Sequence, residues 1–262
     1  MSDKGRFVWY ELLTTDPEGA KDFYGAVTGW TTRPFGGGPR PYSIWMAGET
    51  SVGGVMELSP EMLRDGVKPH WWAHVAVDTI ADVDASARRA EQLGGRIIKP
   101  GMDIPEVGRF AIITDPQGAM ISLFRWTGGE QAPPAAMRPG HVAWHELHTT
   151  DHEGAWAFYS QLFGWRHTTS LDMGEWGTYF MFRHPDDPED AALGGMFNGA
   201  RGTGAPPHWL YYVTVDGMDA AVRRIGSHGG TVVNGPMDVP GGGRAAQCLD
   251  PRGALFAIFS MK

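Results

Sequence analysis

The chain has 262 residues, 42% hydrophobic and 20% charged, with a formal net charge of −8. It has the length of two ordinary domains and the apolar share of a globular protein. No lysine or arginine run could release counterions from a phosphate backbone, which excludes nucleic acid as a partner, and no apolar run reaches the roughly eighteen residues that would cross a membrane, so the protein is expected to be cytoplasmic. The single cysteine, Cys248, leaves no internal disulfide and sits in an apolar stretch as a packed thiol.

Residues 7–14 are rich in aromatic and branched side chains and predict a strand. Asp16-Pro17 then offers an N-cap followed by proline at the first helical position. Ala20, Phe23, Tyr24 and Val27 follow at i, i+3, i+4, i+7, which predicts a helix that Gly29 can stop. Between Tyr42 and Leu58, short apolar runs flank Gly48-Glu49 and carry Gly53-Gly54, the pattern of strands joined by tight turns. This quarter of the chain therefore has the order βαβββ. The pattern restarts with a strand over 70–78 and a helix whose face is Val83, Ala87 and Ala90, closed by Gly94-Gly95. Strands follow at about 109–114 and 119–126. The Gly- and Pro-rich segment 127–138 lacks periodicity and is expected to be a linker between module one, 1–126, and module two, 139–262.

Module two repeats module one. Trp9 to Trp30 returns as Trp144 to Trp165 with 13 of 22 positions identical. Gly53-Gly54 recurs as Gly194-Gly195, Pro69-His70-Trp71 as Pro207-His208-Trp209, and the Asp-Pro-x-Gly-Ala motif at Asp115 recurs at Asp250. A period this long means two whole modules, with helices at Ala20–Val27 and at Ala155, Phe158, Tyr159 and Leu162.

Paired βαβββ units, a first strand leading into D-x-x-x-x-x-x-F-Y-x-x-x-x-G-W, and a closing D-P-x-G-A resemble the vicinal oxygen chelate superfamily, which includes glyoxalase I, extradiol dioxygenases and bleomycin-resistance proteins. The resemblance covers nearly the whole chain, twice. It implies an α+β fold of two tandem glyoxalase-like modules, each a sheet curled around a cup. It also implies metal-ligand positions, which here fall on Trp9, Trp72 and Ser122 in module one and on Trp144, Leu210 and Ala257 in module two. None can supply the family's His, Gln or Glu, so no cofactor is expected at the usual positions.

Strand alternation places Glu11 on the face of Trp9, and His70, Trp72 and His74 together on one face of the fifth strand. The family's pseudo-twofold symmetry then implies that Glu11 and His74 meet one step deeper than the lost ligands. The matching pair in module two is Glu146 and Tyr212, with His148 and His208 on the same faces. These residues are the candidate acid-base groups, and Trp9, Trp45, Trp72, Trp144 and Trp176 are candidates to wall an aromatic cup. His70 and His208 stand at the mouth of the fifth strand as ligand-binding or packing residues. Arg109 and Arg244 serve either an acidic ligand or a surface ion pair. The histidines at 141, 145, 148 and 152 have helical spacing, but the repeat makes their segment a strand, with His145 and His148 on opposite faces.

The expected protein binds a small aromatic or carbonyl-containing molecule and performs metal-independent lyase or isomerase chemistry, with Glu11 as base and His74 as its acid partner. A non-catalytic binder and a divalent-metal enzyme with the shifted ligands Glu11, His70 and His74 are the alternatives. The modules are expected to pair within the chain as a monomer or homodimer, with module one the better suited to acid-base work because Tyr212 replaces His74 in module two.

Overall fold

A computed structural model of the chain describes residues 3–36, 40–128 and 137–262, so residues 129–136 of the expected linker lie outside the described residues. Module one contains β1 (Phe7–Thr14), α1 (Pro17–Thr28), β2 (Thr31–Phe35), β3 (Tyr42–Ala47), β4 (Thr50–Glu57), α2 (Pro60–Arg64), β5 (His70–Ala76), α3 (Ile80–Gln92), β6 (Arg96–Ile104), β7 (Gly108–Thr114) and β8 (Met120–Trp126). Module two contains β9 (Val142–His148), α4 (His152–Phe163), β10 (Arg166–Asp172), a 3₁₀ turn (Gly174–Trp176), β11 (Thr178–Arg183), β12 (Gly194–Phe197), β13 (His208–Thr214), α5 (Met218–Ser227), β14 (Thr231–Val239), β15 (Gly243–Leu249) and β16 (Leu255–Met261). Among the described residues the strands form two mixed sheets of eight, one per module, giving the α+β class with curled sheets. No helix among them is long and apolar enough to cross a membrane.

The first helix of each module starts and stops as its sequence dictates. Asp16 Oδ1 accepts from the Gly19 amide at 3.0 Å and Asp151 Oδ1 from the Gly154 amide at 3.2 Å, satisfying one of the donors that a helix start leaves open. Gly29 and Gly164 end the helices in the left-handed conformation, with φ of 78° and 77°. β6 carries Pro100-Gly101 and two register shifts against β7, features that an edge strand tolerates and that erase the alternating signal.

Compactness does not follow the repeat. Of the described residues, one compact unit gathers 3–8, 72–128 and 144–209, and the other gathers 9–36, 40–71, 137–143 and 210–262. In the first unit, β5 runs parallel to β8, which continues antiparallel to β7 and β6, while β9 runs parallel to β12, followed by β11 and β10. The second unit repeats this with β1 parallel to β4 and β13 parallel to β16. Each unit thus joins half of one module to half of the other.

The recurring sequence motifs make these joints. Asp115 of module one accepts three backbone N–H groups on Oδ1 at 2.8–3.0 Å, and its Oδ2 accepts the Tyr159 hydroxyl of module two at 3.1 Å. Trp209 Nε1 donates to that hydroxyl at 3.0 Å. In the other unit, Asp250 of module two binds two backbone N–H groups at 2.8 and 2.9 Å and accepts the Tyr24 hydroxyl of module one at 3.2 Å, with Trp71 Nε1 donating to Tyr24 at 2.8 Å. Both tyrosines are fully buried, so each polar group must be paired within the protein. Burial is the largest influence on both aspartates and pushes their carboxyls above the usual range despite these bonds. The phenylalanine beside each tyrosine, Phe23 or Phe158, is 1% or 2% exposed and fills the same core.

Candidate functional site

Alternation along β9 turns His145 and His148 to opposite sides, which answers the helical spacing of the four histidines. His145 stacks on Phe7 with ring centroids 3.8 Å apart, and its Nδ1 donates to the Leu193 carbonyl at 2.8 Å. Burial lowers its pKa from 6.5 to about 4, so this ring is a neutral core residue. The other face of β9 carries Trp144, Glu146 and His148.

There the Glu146 carboxylate is 8% exposed and is held from two sides. The Tyr179 hydroxyl donates to Oε2 at 2.8 Å, and Trp144 Nε1 donates to that hydroxyl at 2.7 Å. His148 Nε2 lies 2.7 Å from Oε1. An ionised carboxylate only accepts, so in the neutral imidazole the proton sits on Nε2 and Nδ1 keeps its lone pair. A carboxylate that fixes a histidine tautomer and stabilises the imidazolium is the arrangement that makes histidine an effective base.

Two glycines make room for this cluster. A Cβ on Gly195 would overlap the Tyr179 ring, and one on Gly199 would press on Phe197 and on His148 Nδ1. His148 in turn stacks on His208, centroids 4.8 Å apart and planes 15° from parallel, with Phe197 at 4.7 Å. His208 Nδ1 donates to the Pro206 carbonyl at 2.9 Å. Burial first, then the neighbouring His148, lowers the pKa of His208 and holds it neutral.

Beyond the C-terminal end of β12, a cavity of about 320 Å³ is lined by Glu175, Trp176, Gly177, Asn198 and Arg201. Trp176 is 52% exposed and forms the aromatic part of this rim. Asn198 Oδ1 accepts the His152 amide at 2.8 Å, which leaves its NH₂ to donate, and Arg201 Nε donates to the Thr150 carbonyl. The aromatic wall expected around Trp144 and Trp176 thus divides between the face of β9 and this rim, while Trp45 is fully buried in the core of the other unit.

Module one carries the same scaffold without the imidazole. Trp9 Nε1 donates to the Tyr42 hydroxyl at 2.8 Å, which donates to Glu11 Oε1 at 2.9 Å, and a Cβ on Gly54 would overlap the Tyr42 ring. Burial first and then the charge of Glu11 push the Tyr42 hydroxyl well above its usual pKa, keeping it a donor. At the position equivalent to His148 stands Leu13, 1% exposed. Of the pair that the sequence suggested, Glu11 shares its unit with Trp9 and Tyr42, and His74 lies in the unit of β7 and β8. His74 is 3% exposed and has Trp72, Phe124 and Phe110 around it, with ring centroids 5.4–6.2 Å away. Tyr42 and Tyr179 were missed in the sequence; the glycine pairs that admit them, Gly53-Gly54 and Gly194-Gly195, were its visible trace.

Among the remaining candidates, Tyr212, expected opposite Glu146, accepts from Gln247 Nε2 at 3.2 Å, and Glu146 accepts the Tyr179 hydroxyl at 2.8 Å. Arg109 pairs with Asp103 at 2.7 Å and Asp84 at 3.0 Å, and Arg244 pairs with Asp219 at 2.8 Å, the ion pairs that were the alternative reading of both. His70 Nδ1 donates to the Lys68 carbonyl at 2.7 Å, as His208 does to Pro206. Burial pushes the Cys248 thiol up to about 12, which removes it as a nucleophile.

The family's metal positions do not suit a metal. The Trp9 and Trp144 indoles are donors occupied by tyrosines, the Ser122 hydroxyl donates to the Ala111 carbonyl at 3.1 Å, and Trp72, Leu210 and Ala257 offer no ligand atom. For the shifted set Glu11, His70 and His74, no group of three His, Cys, Asp or Glu residues among the described residues is arranged to hold an ion.

A family profile described as "Glyoxalase/Bleomycin resistance protein/Dioxygenase superfamily" matches residues 6–123 and 138–258. The chain is 33% identical over 253 residues to a Mycobacterium tuberculosis protein named "Putative glyoxylase CFP32", covering 95% of this chain and 92% of that one. It is 32% identical over 272 residues to the "Anthracycline biosynthesis protein DnrV" of Streptomyces peucetius, covering 98% and 94%. Among solved structures it resembles the Mn(II)-bound glyoxalase from Novosphingobium aromaticivorans, with a TM-score of 0.66 at 18% identity over 99% of this chain and 83% of that one. It also resembles the 2,3-dioxygenase LapB from Pseudomonas sp. KL28, with a TM-score of 0.65 at 12% identity over 99% and 93%. These two likenesses concern the fold.

Proposed function

Because the chain belongs to the glyoxalase/bleomycin resistance/dioxygenase superfamily, whose fold hosts several chemistries, we propose from its own side chains that it is a metal-independent proton-transfer enzyme acting on a small aromatic carbonyl compound. The carrying observation is the buried Glu146 carboxylate bound at 2.7 Å by His148 and at 2.8 Å by Tyr179. The base in this reading is His148 in module two, in place of the Glu11–His74 pair that the sequence suggested. The relatives named for glyoxylase and for anthracycline biosynthesis support a carbonyl-bearing and an aromatic substrate, respectively.

In this reading His148 Nδ1 removes a proton from the carbon next to the substrate carbonyl. The imidazolium that forms is stabilised by Glu146, whose charge Tyr179 holds in place, and the substrate becomes an enolate. Asn198 and Arg201 are the donors at the rim that can meet the developing oxyanion. Returning a proton from the imidazolium to the same carbon regenerates the carbonyl compound, with its α-hydrogen exchanged for one from solvent, and restores the neutral ring.

Deuterium incorporation from D₂O into enolisable aromatic ketones such as 2-tetralone, followed by NMR, tests this directly. The protein is expected to accelerate exchange, and His148→Gln or Glu146→Gln to remove about a hundredfold or more of that acceleration. Exchange indifferent to both substitutions would overturn the mechanism. Saturable binding without any exchange would instead favour a sequestering protein, which the aromatic inner faces of both modules would also serve.

A further inference from the structure

His208 is not used by the mechanism above, yet its ring is fixed more firmly than packing alone requires. Its Nδ1–H is committed to the Pro206 carbonyl at 2.9 Å, which leaves Nε2 as a bare acceptor in the neutral ring. That nitrogen is buried and has no hydrogen-bond partner among the described residues. A buried acceptor left unpaired costs stability, and such groups in native proteins usually have a functional explanation. The ring lies parallel to His148, 4.8 Å between centroids, on the face that carries Glu146.

We propose that His208 Nε2 is the acceptor for a hydroxyl group of the ligand, so that the compound bound over the Glu146–His148 pair carries a phenolic or enolic O–H. The inference rests on that pair marking the ligand site. It adds the chemical class of the compound and a specificity residue. A ligand with an ether or a hydrogen in place of the hydroxyl leaves Nε2 buried and unpaired, and this penalty is how the site distinguishes the two. Tyr179 and Trp144 cannot take over the role, because the hydroxyl of one and the indole N–H of the other are already engaged with Glu146 and with each other. Neutrality matters as well, since a protonated His208 would have no lone pair to offer. Its burial against His148 keeps it in the accepting form.

The probes are 2-naphthol, which presents the hydroxyl of an aromatic enol, and 2-methoxynaphthalene, which has the same ring system without the donor. Titration calorimetry on the full chain is expected to show 2-naphthol binding at least about tenfold more tightly, equivalent to about 1.4 kcal/mol. His208→Phe should erase the preference while retaining the stack on His148, whereas His70→Phe should leave it intact. Where His208→Phe does not fold, the ¹⁵N resonance of His208 Nε2 in the unaltered protein decides: it should move with 2-naphthol and stay with 2-methoxynaphthalene. Equal affinities, a preference that survives in His208→Phe, an unmoved resonance, or no saturable binding of 2-naphthol would each overturn the assignment. Equal affinities together with His148-dependent exchange of 2-tetralone would sink this inference alone. A retained naphthol preference without exchange would sink the acid-base reading and leave the acceptor standing.

Discussion

Within the first strands of the two modules, the segments Trp9-Tyr10-Glu11-Leu12-Leu13 and Trp144-His145-Glu146-Leu147-His148 differ at two positions, and both differences exchange another side chain for an imidazole. What they share is scaffold: an indole that donates to a tyrosine, a tyrosine that donates to a glutamate, and a glycine that makes room for the phenol. What they do not share is the imidazole beside the carboxylate, His148 at 2.7 Å from Glu146 where module one has Leu13. The same substitution has opposite outcomes on the two faces of β9. His145, turned toward Phe7, is held neutral, while His148, turned toward Glu146, acquires a carboxylate partner at 2.7 Å. Duplication left two carboxylates in equivalent settings, and a single side chain on the correct face distinguishes them chemically.

The most direct way to break that comparison is to exchange the glutamates one at a time. Glu146→Gln and His148→Gln are expected to lower the proton-exchange rate by about a hundredfold to ten-thousandfold, because the dyad loses its base or the anion that supports it. Glu11→Gln should change it by less than about threefold, since Leu13 occupies the place of the imidazole. The opposite ranking, measured on the same ketone, would return catalysis to module one and to the Glu11–His74 pair.

The second difference, His145 against Tyr10, is read in the pH dependence of stability. His145 has its folded pKa depressed from 6.5 to about 4, so the folded state resists the proton that the unfolded chain accepts. Its contribution is complete above pH 6.5 and is lost progressively as pH falls toward about 4. That loss amounts to about 3 kcal/mol. His145→Gln should flatten the fall in unfolding free energy over that interval. A denaturation series with the same slope in both proteins would show that the ring is not neutral in the fold.

The fold was largely visible in the sequence because its signals are local and doubled. Asp16-Pro17, the 3–4 spacing of Ala20, Phe23, Tyr24 and Val27, and Gly29 each determine a short-range geometry, and each returns in module two. β6 escaped because Pro100-Gly101 and its bulges belong to an edge strand, where pairing with β7 alone sets the shape. The crossing of the modules escaped for a different reason. Asp115 meeting Tyr159 and Asp250 meeting Tyr24 are contacts between residues far apart in the chain, and a repeat looks the same whether its halves pack on themselves or on each other. In the site, the alternation that put Glu146 and His148 on one face was legible. The engagement of Glu146 by Tyr179 depends on diagonal neighbours across β11 and β12, which no single-strand pattern contains.

The joints between modules offer a comparison in which the two sides should agree. Tyr24→Phe and Tyr159→Phe each strand a buried aspartate oxygen and a tryptophan N–H, at a cost of about 1–3 kcal/mol apiece. That corresponds to a fall in Tm of roughly 2–12 °C for a protein of this size. Equal losses in thermal melts would fit two equivalent joints. A loss confined to one would show that the unaffected unit does not depend on its own aspartate–tyrosine–tryptophan chain.

The smallest effects are expected at Arg109 and Arg244, which the sequence offered as sites for an acidic ligand. Each guanidinium lies at the surface and is engaged by acids of its own unit, Arg109 by two and Arg244 by one. Exposed ion pairs are screened by solvent and hold long side chains at an entropic cost, so neither pair contributes much. Removing either arginine as alanine should shift Tm by no more than about 3 °C. Having two acid partners, Arg109 should lose more than Arg244, and both shifts should shrink as salt is added. Binding of 2-naphthol should be unchanged in both variants, because each guanidinium is engaged by aspartates rather than by Glu146, His148 or His208. A marked weakening in either one would mean that its aspartates release the guanidinium to the ligand, restoring the arginine to the binding site.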